Sequence, residues 1–306
     1  MSLPSIPSDI NAAPSALREE FINDIETLID AAELGTSPTE GNDLLLRNNQ
    51  ANTINGLAGN DVIATFGGGD DVIGGEGNDY ILAGAGDDEV SGQVGNDFIF
   101  GGSGFDLLRG GTGNDAMSGG ADTDTLYGDD GDDWLFANAG EDRLYGGEGN
   151  DIVFGGAGNN LIRGGVDNDD LFGAGGRDDV RGGLGNDFLE GGAGGDVLSG
   201  GANDDVYFYS SLSHGGDTIL DFNADQDRFE FVASAFGVEG GYNLDNGSTF
   251  IANANPVSQT GEATVLYETD TGRLYYDVDG TGSGGRVLIA TLTSKPTITE
   301  QDFVFV

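Results

Sequence analysis

The chain of 306 residues contains no cysteine, which removes disulfides, thiolate metal sites and a cysteine nucleophile from consideration. It has one histidine, His214, so a histidine-dependent triad and a multi-histidine zinc site are excluded, and His214 reads as a surface loop residue. Basic side chains are scarce: 11 Lys and Arg stand against 54 Asp and Glu, for a formal net charge of -43. Phosphate is bound by Lys and Arg, so nucleic acid is not an expected partner, and a bare anionic membrane is disfavoured for the same reason. No apolar run approaches the length of a transmembrane segment. Met1-Ser2-Leu3-Pro4-Ser5 has neither the basic start nor the apolar stretch of a cleavable export signal, so none is expected.

What the sequence does have is a period. From Asp43 to Asp205 every ninth residue is Asp or Asn, nineteen times without insertion or deletion. The positions are Asp43, Asn52, Asp61, Asp70, Asp79, Asp88, Asp97, Asp106, Asp115, Asp124, Asp133, Asp142, Asp151, Asn160, Asp169, Asp178, Asp187, Asp196 and Asp205. Two residues after each stands an apolar side chain, from Leu45 and Ile54 to Leu198 and Tyr207, and two residues before, fifteen of the nineteen are Gly. Such acidity is also the signature of a self-repelling disordered chain, but a disordered chain has no reason to hold Asp and an apolar residue in phase. A nine-residue period fits neither a helical face nor an alternating strand; it calls for stacked coils that bring carboxylates into columns.

In Gly110-Gly111-Thr112-Gly113-Asn114-Asp115-Ala116-Met117-Ser118 the first six residues turn the chain, with glycines letting carbonyl oxygens converge beside the carboxylate. The last three form a short strand with Met117 inward and Ala116 and Ser118 outward. Two nonads make one coil of 18 residues, with one strand on each of two facing sheets. These units, and Gly74-Gly75-Glu76-Gly77-Asn78-Asp79, Gly146-Gly147-Glu148-Gly149-Asn150-Asp151 and Gly182-Gly183-Leu184-Gly185-Asn186-Asp187 with them, resemble the G-G-x-G-x-D-x-U-x nonapeptide of the RTX (hemolysin-type) calcium-binding proteins. The resemblance implies an all-β fold, a right-handed parallel β-roll, with Ca²⁺ between loops 18 residues apart, held by carboxylates and backbone carbonyls. Carried onto this chain, the implied ligands are Asp61, Asp79, Asp97, Asp115, Asp133, Asp151, Asp169, Asp187 and Asp205 in the column that starts at Asp43. Asp70, Asp88, Asp106, Asp124, Asp142, Asp178 and Asp196 form the column that starts at Asn52. Nine adjacent pairs in one column and eight in the other allow at most 17 sites.

Some positions depart from the pattern. Asn160 replaces a carboxylate and should weaken the sites it shares. Gln50, Asp122, Asp167 and Asn203 replace the Gly two residues before the ligand, and around Phe66-Gly67-Gly68-Gly69-Asp70-Asp71 the ligand can also be read as Asp71. Three regions are expected: an arm and amphipathic helix in residues 1–37, with the helix over 15–34 as an N-terminal cap; the repeat array, 38–208; and a C-terminal β-rich domain or extended cap, 209–306. The helix rests on Leu17, Phe21, Ile25, Leu28, Ile29 and Ala32 at three- and four-residue steps. The C-terminal strands are read at 217–222, 228–231, 263–267, 274–276 and 287–290.

One inward side chain per nonad is too little apolar burial to offset the ordering of nine residues, and the aspartate columns repel. The ion-free array should therefore be largely unfolded, with Ca²⁺ supplying the missing free energy by binding sites that exist only in the fold. The resemblance implies type I secretion of the unfolded chain through an uncleaved C-terminal signal. The end Asp302-Phe303-Val304-Phe305-Val306 and the segment 217–227, similar to the flank of secreted RTX metalloproteases, fit that route, although any β domain can end on an apolar strand. The metalloprotease H-E-x-x-H motif is absent. Carboxylate pairs abound, but their regular spacing makes metal ligation the better account than glycosidase-type chemistry. Asp277-Val278-Asp279-Gly280 looks like half a calcium loop without a later acidic ligand, and reads as an Asp-Gly turn.

The two sheets differ on their outer faces. In the one that follows the Asp43 column, 17 of 20 outward residues are apolar, among them Tyr80, Phe98, Phe100, Trp134, Phe136, Phe154, Phe172 and Phe188, against six of 18 in the other. Such a face is covered either by the chain's own termini or by a partner: a second copy, or a cell-surface polysaccharide. The expected protein is a secreted, extracellular or cell-surface calcium-binding component without enzymatic activity. The alternative is a secreted calcium-dependent enzyme or enzyme accessory, carbohydrate-active, with its chemistry in 209–306.

Overall fold

The computed structural model describes residues 33–34, 37–237, 249–258, 263–280 and 285–306. By far the commonest element is the short parallel strand, as the nonads require. The chain divides into two compact units, Met1–Tyr145 and Gly146–Val306, and each is a parallel β-solenoid built from two sheets.

In the first unit successive strands alternate between the sheets. Asp43–Leu46, Val62–Ala64, Tyr80–Ala85, Phe98–Ser103, Ala116–Ala121 and Trp134–Ala139 stack in one, and Thr53–Ala58, Asp71–Glu76, Glu89–Val94, Leu107–Thr112 and Thr125–Asp130 in the other. The register steps by one coil at a time, as in Ile81 opposite Ile99 and Ile99 opposite Met117. In the other sheet, where Val90 stands opposite Leu108, register is enforced by burial, because a slip of one residue would turn the apolar row outward and bring Glu89, Ser91 and Arg109 in. Inward residues Leu45, Ile63, Ile81, Ile99, Leu108, Leu126 and Leu135 are all fully buried.

The second unit continues the same construction with Ile152–Phe154, Asp170–Phe172, Phe188–Glu190 and Val206–Tyr209 in one sheet and Leu161–Val166, Asp179–Leu184 and Val197–Ala202 in the other. The C-terminal strands do not form a separate layer. Arg228–Phe231 and Phe303–Phe305 extend the first of these sheets in parallel, and Asp217–Ile219 and Arg286–Leu292 extend the second. Beyond Arg286–Leu292 the sheet turns antiparallel through Arg273–Asp277 and Thr264–Glu268. The C-terminal strands thus continue the two sheets of the second unit. Stacked rings fill it: Phe229 lies 4.6 Å from Phe222 and 5.4 Å from Phe303.

Two expectations change. Most strands of the repeat array run for six residues rather than three, because hydrogen bonding continues through the glycine turn: Gly84 pairs with Gly102 and Gly102 with Gly120. The helix expected over 15–34 falls outside the described residues except for Glu33–Leu34, which form a short strand parallel to Asp43–Leu44. Among the described residues no helix is long and apolar enough to cross a membrane.

Candidate metal centre

Each repeat aspartate sits where the chain leaves its glycine turn and enters a strand. The side chain points into the turn, and the residue two positions on points into the core. All of the predicted ligands are buried, and Asp61, Asp97, Asp124, Asp133 and Asp205 have no exposed surface. Within the first unit the carboxylates form a relay. The backbone N–H of Asp61 donates to Oδ1 of Asp79 at 2.8 Å, that of Asp79 to Asp97 at 2.7 Å, Asp97 to Asp115 at 2.7 Å and Asp115 to Asp133 at 2.8 Å. The second column repeats this from Asn52 through Asp70, Asp88, Asp106 and Asp124 to Asp142. In the second unit Asp151 donates to Asp169, Asp169 to Asp187 and Asp187 to Asp205, while Asn160 donates to Asp178 and Asp178 to Asp196. Asp70, not Asp71, stands in the column: it is buried and accepts from Asn52, whereas Asp71 is exposed at the start of a strand.

The relay uses one carboxylate oxygen. The other, Oδ2, is buried without a hydrogen-bond partner at Asp61, Asp70, Asp79, Asp88, Asp97, Asp106, Asp115 and Asp124, and again at Asp169, Asp178, Asp187, Asp196 and Asp205. A single orphaned anionic oxygen is costly, and a regular column of them demands a positive counterpart. Backbone carbonyls converge on the same place. A methyl group at Gly74 would overlap both Asp79 Oδ2 and the Gly92 carbonyl oxygen, and one at Gly182 both Asp187 Oδ2 and the Gly200 carbonyl oxygen. The first glycine of the nonad is therefore a matter of space for the ligand oxygens. Later ones answer a second need: Gly75 and Gly77 take φ of 126° and 127°. Asp122, Asp167 and Asn203 adopt the same left-handed region at 78°, 77° and 85°, a strained choice for residues with a Cβ.

Burial, with neighbouring aspartates adding to it, pushes the carboxyls up. Asp79, Asp115 and Asp169 rise to about 8, Asp106, Asp124 and Asp205 to about 7, and Asp61, Asp97, Asp178 and Asp187 to about 6. Asp88, Asp142 and Asp196 are raised for the same first reason. Among the described residues no three His, Cys, Asp or Glu side chains are grouped so as to hold a metal ion by themselves. The donor set is thus carboxylate plus carbonyl, all hard oxygen, which suits Ca²⁺ and not thiophilic or imidazole-seeking metals.

Three features escaped the sequence reading. The residue before each ligand builds an exposed ladder of its own, running the other way: Asn78 N–H donates to Asn60 Oδ1, Asn96 to Asn78 and Asn114 to Asn96, each at 2.9 Å. Its signal was the Asn that so often precedes Asp. The Asp columns of the second unit also run past the repeats, to Asp217 and Asp227. Asn160 keeps its backbone bond to Asp178 but presents Nδ2 at the Gly155 turn, where other coils present Oδ2.

The outward aromatic residues are partly or wholly buried. In the first unit Tyr80 and Phe100, with ring centroids 5.7 Å apart, cluster with Val62, Leu44, Leu82 and Phe98, and Trp134 lies 6.1 Å from Phe136. In the second, Phe154, Phe172, Phe188 and Phe208 form a ladder at 4.7, 5.8 and 5.0 Å. The other sheet carries Tyr127 stacked on Tyr145 at 4.8 Å with Arg109 over the Tyr127 ring. His214 pairs with Glu190 at 3.4 Å and Ser210 at 3.1 Å. Gly280 N–H donates to Asp277 Oδ1 at 3.1 Å, closing the Asp-Gly turn.

Parallel coils with buried carboxylate columns and convergent carbonyls define a metal-binding β-solenoid. The profile of the RTX calcium-binding nonapeptide repeat matches residues 46–81, 64–99, 91–126, 118–153, 127–162, 145–180 and 181–211, more than half of the chain. The chain belongs to that family. Among solved structures it is similar to the AlgE6R3 subunit of the Azotobacter vinelandii mannuronan C5-epimerase, at 26% identity over 48% of this chain and 79% of that one, with a TM-score of 0.32. The AlgE6R2 subunit of the same enzyme gives 25% identity over 49% and 90%, with a TM-score of 0.30. The extracellular lipase LipA from Serratia marcescens gives 16% identity over 75% of this chain and 45% of the lipase, with a TM-score of 0.26. No curated protein matches the chain.

Proposed function

We propose that this is a non-catalytic, extracellular calcium-binding protein that folds on meeting Ca²⁺ and serves as a structural component of a cell surface or matrix. The observation that carries the reading is the row of buried Oδ2 atoms without partners. Without a cation each coil adds a repelling, desolvated carboxylate, and the solenoid is held back from forming. Extracellular calcium modules bind at about 10⁻⁴–10⁻³ M. Cytosolic calcium lies far below that range, so the chain stays extended in the cell and is fit for type I export, which passes an unfolded polypeptide. Outside, ions fill the columns and the coils stack. Up to 17 inter-loop sites follow from the repeat positions, fewer where Asn160 stands. The Phe154–Phe172–Phe188–Phe208 ladder, regular along the stack and apolar, is the face assigned to contact with a second copy.

Amide hydrogen exchange tests the folding part. In chelator the amides of residues 43–207 should exchange as in a coil; in calcium they should become protected together. Protection of the array in chelator equal to that in calcium would refute the reading.

A further inference from the structure

We propose that the outer face of the second sheet, near the end of the first unit, binds a linear polysaccharide that carries carboxylates, a polyuronate. The inference rests on reading the chain as a calcium-folded surface or matrix component, and names the class of polymer it holds. The site is built from Arg109, Tyr127, Arg143 and Tyr145, none of which belongs to the aspartate columns.

Acidic side chains outnumber basic ones by 54 to 11, so an arginine on this surface readily finds a carboxylate. Arg163 and Arg181 share Asp179 at 3.1 and 3.0 Å, and Arg228 meets Glu230 at 2.8 Å. Arg109 and Arg143 are different. Both are exposed, and among the described residues neither guanidinium has an ion-pair partner or a hydrogen-bond acceptor. Their surroundings hold carboxylates off. Leu107 and Arg109, Thr125 and Tyr127, Arg143 and Tyr145 follow one another as the outward residues of three strands. Towards the N-terminal end the first acid in these rows is Glu89, opposite Leu107.

The patch is also ordered. Tyr127 stands opposite Arg109 in register, and Arg109 Cζ lies 4.2 Å from the centroid of its ring. Tyr127 in turn stacks on Tyr145 at 4.8 Å, with the rings 7° from parallel. The Arg109 fork is thus held against a ring before any ligand arrives, and little side-chain freedom is left to lose on binding. The strand of Tyr127 lies between those of Arg109 and Tyr145, so its ring is occupied on both faces and offers no platform for a nucleobase. What the stack turns to solvent is ring edges and hydroxyls. Neither hydroxyl has a partner among the described residues.

These groups select the ligand. A guanidinium takes a carboxylate through two parallel hydrogen bonds, and phenol hydroxyls exchange hydrogen bonds with the hydroxyls of a sugar. An acidic peptide brings carboxylates without the hydroxyls. The strands that carry Arg109 and Arg143 are two steps apart, about 10 Å, more than one carboxylate spans. The ligand therefore repeats its acid along a chain.

Calorimetric titration of the calcium-loaded full chain with a short oligogalacturonate, at fixed calcium and ionic strength, tests this. The parent should bind it and should not bind its neutral methyl ester. Arg109→Gln with Arg143→Gln should weaken binding about tenfold or more. Tyr127→Phe with Tyr145→Phe, which keeps the stack and removes the hydroxyls, should weaken it by several-fold. Arg181→Gln, at the Asp179 pair, should leave it unchanged. Far-UV circular dichroism in calcium checks that each variant is folded. A double arginine variant that binds as the parent does overturns the proposal, and so does a parent that is folded in calcium and takes up no oligogalacturonate; both leave the calcium reading standing. Oligoglutamate bound as tightly as oligogalacturonate overturns it in favour of an acidic protein. A parent that does not fold in calcium overturns the proposed function and this inference with it.

Discussion

Replacing Asp115 by Asn should move stability in opposite directions with and without calcium. Asp115 sits in mid-column, accepting from Asp97 N–H at 2.7 Å and donating to Asp133 Oδ1 at 2.8 Å. Asn retains an oxygen for the first bond and its own N–H for the second. What it loses is the anionic Oδ2 beside the Gly128 carbonyl. Two steps of the column, Asp97 with Asp115 and Asp115 with Asp133, lose one carboxylate each. An ion present at about 100 times its Kd contributes about 2.7 kcal/mol, so loss of both costs about 5 kcal/mol in saturating calcium. In chelator the sign reverses. Burial and the flanking charges of Asp97 and Asp133 raise the Asp115 carboxyl to about 8, so at neutral pH the ion-free fold is penalised for holding it, and Asn removes the penalty. Urea unfolding followed by far-UV circular dichroism, in calcium and in chelator, reads both arms. A shift of the same sign and size in the two conditions would show that Asp115 acts through packing alone, and the reasoning would fail.

The column aspartates also set a pH dependence. Their folded values, about 6 to about 8, lie above the ordinary 3.8, so the ion-free fold takes up protons. In chelator its stability should grow as pH falls from about 8 towards about 4, and calcium affinity should fall over the same range as protons compete; compaction in chelator that improves with rising pH would contradict this. Asn160→Asp should add a carboxylate opposite Asp178 and raise the number or affinity of bound ions in equilibrium dialysis; unchanged binding would remove Asn160 as a weak point. Leu57, at φ 83° and 41% exposed, bears left-handed strain outside the core, so Leu57→Gly should raise the unfolding free energy of the calcium-loaded protein, read from urea unfolding, by about 1 kcal/mol, and a drop would refute the strain account. Phe172→Asp, which interrupts the ring ladder between Phe154 and Phe188, should abolish self-association in sedimentation while calcium-dependent folding persists; association unchanged would assign the face no role.

The repeats were legible because one physical constraint recurs at fixed spacing. Apolar residues two positions after each Asp, from Leu45 to Tyr207, are all buried, and the Asp positions form the columns their phase implies. Asp217 and Asp227 were hidden for the converse reason. Looped-out residues break the nine-residue phase, and only the backbone shows that Ile219 and Phe229 return to the core rows. Strand lengths were underestimated because glycine turns read as breaks, while stacked parallel copies of one turn hydrogen-bond to each other as strands do. In the C-terminal region the strands were placed well, at Arg228–Phe231 and Arg273–Asp277 among others. Their joining the sheets of the array was not readable, since pairing partners such as Ile219 and Leu292 lie far apart in sequence. Phe303 and Phe305, read as part of an export signal, are fully buried core residues of the last strand, so the apolar end already has a structural role.

Sedimentation velocity of the intact chain across a calcium titration, from chelator to about 10 mM, above the range of extracellular calcium modules, tests the central claim most directly. An expanded, slowly sedimenting chain in chelator that becomes compact as calcium is added is the predicted result. A compact particle in chelator, unchanged by calcium, would mean that the aspartate columns do not control the fold.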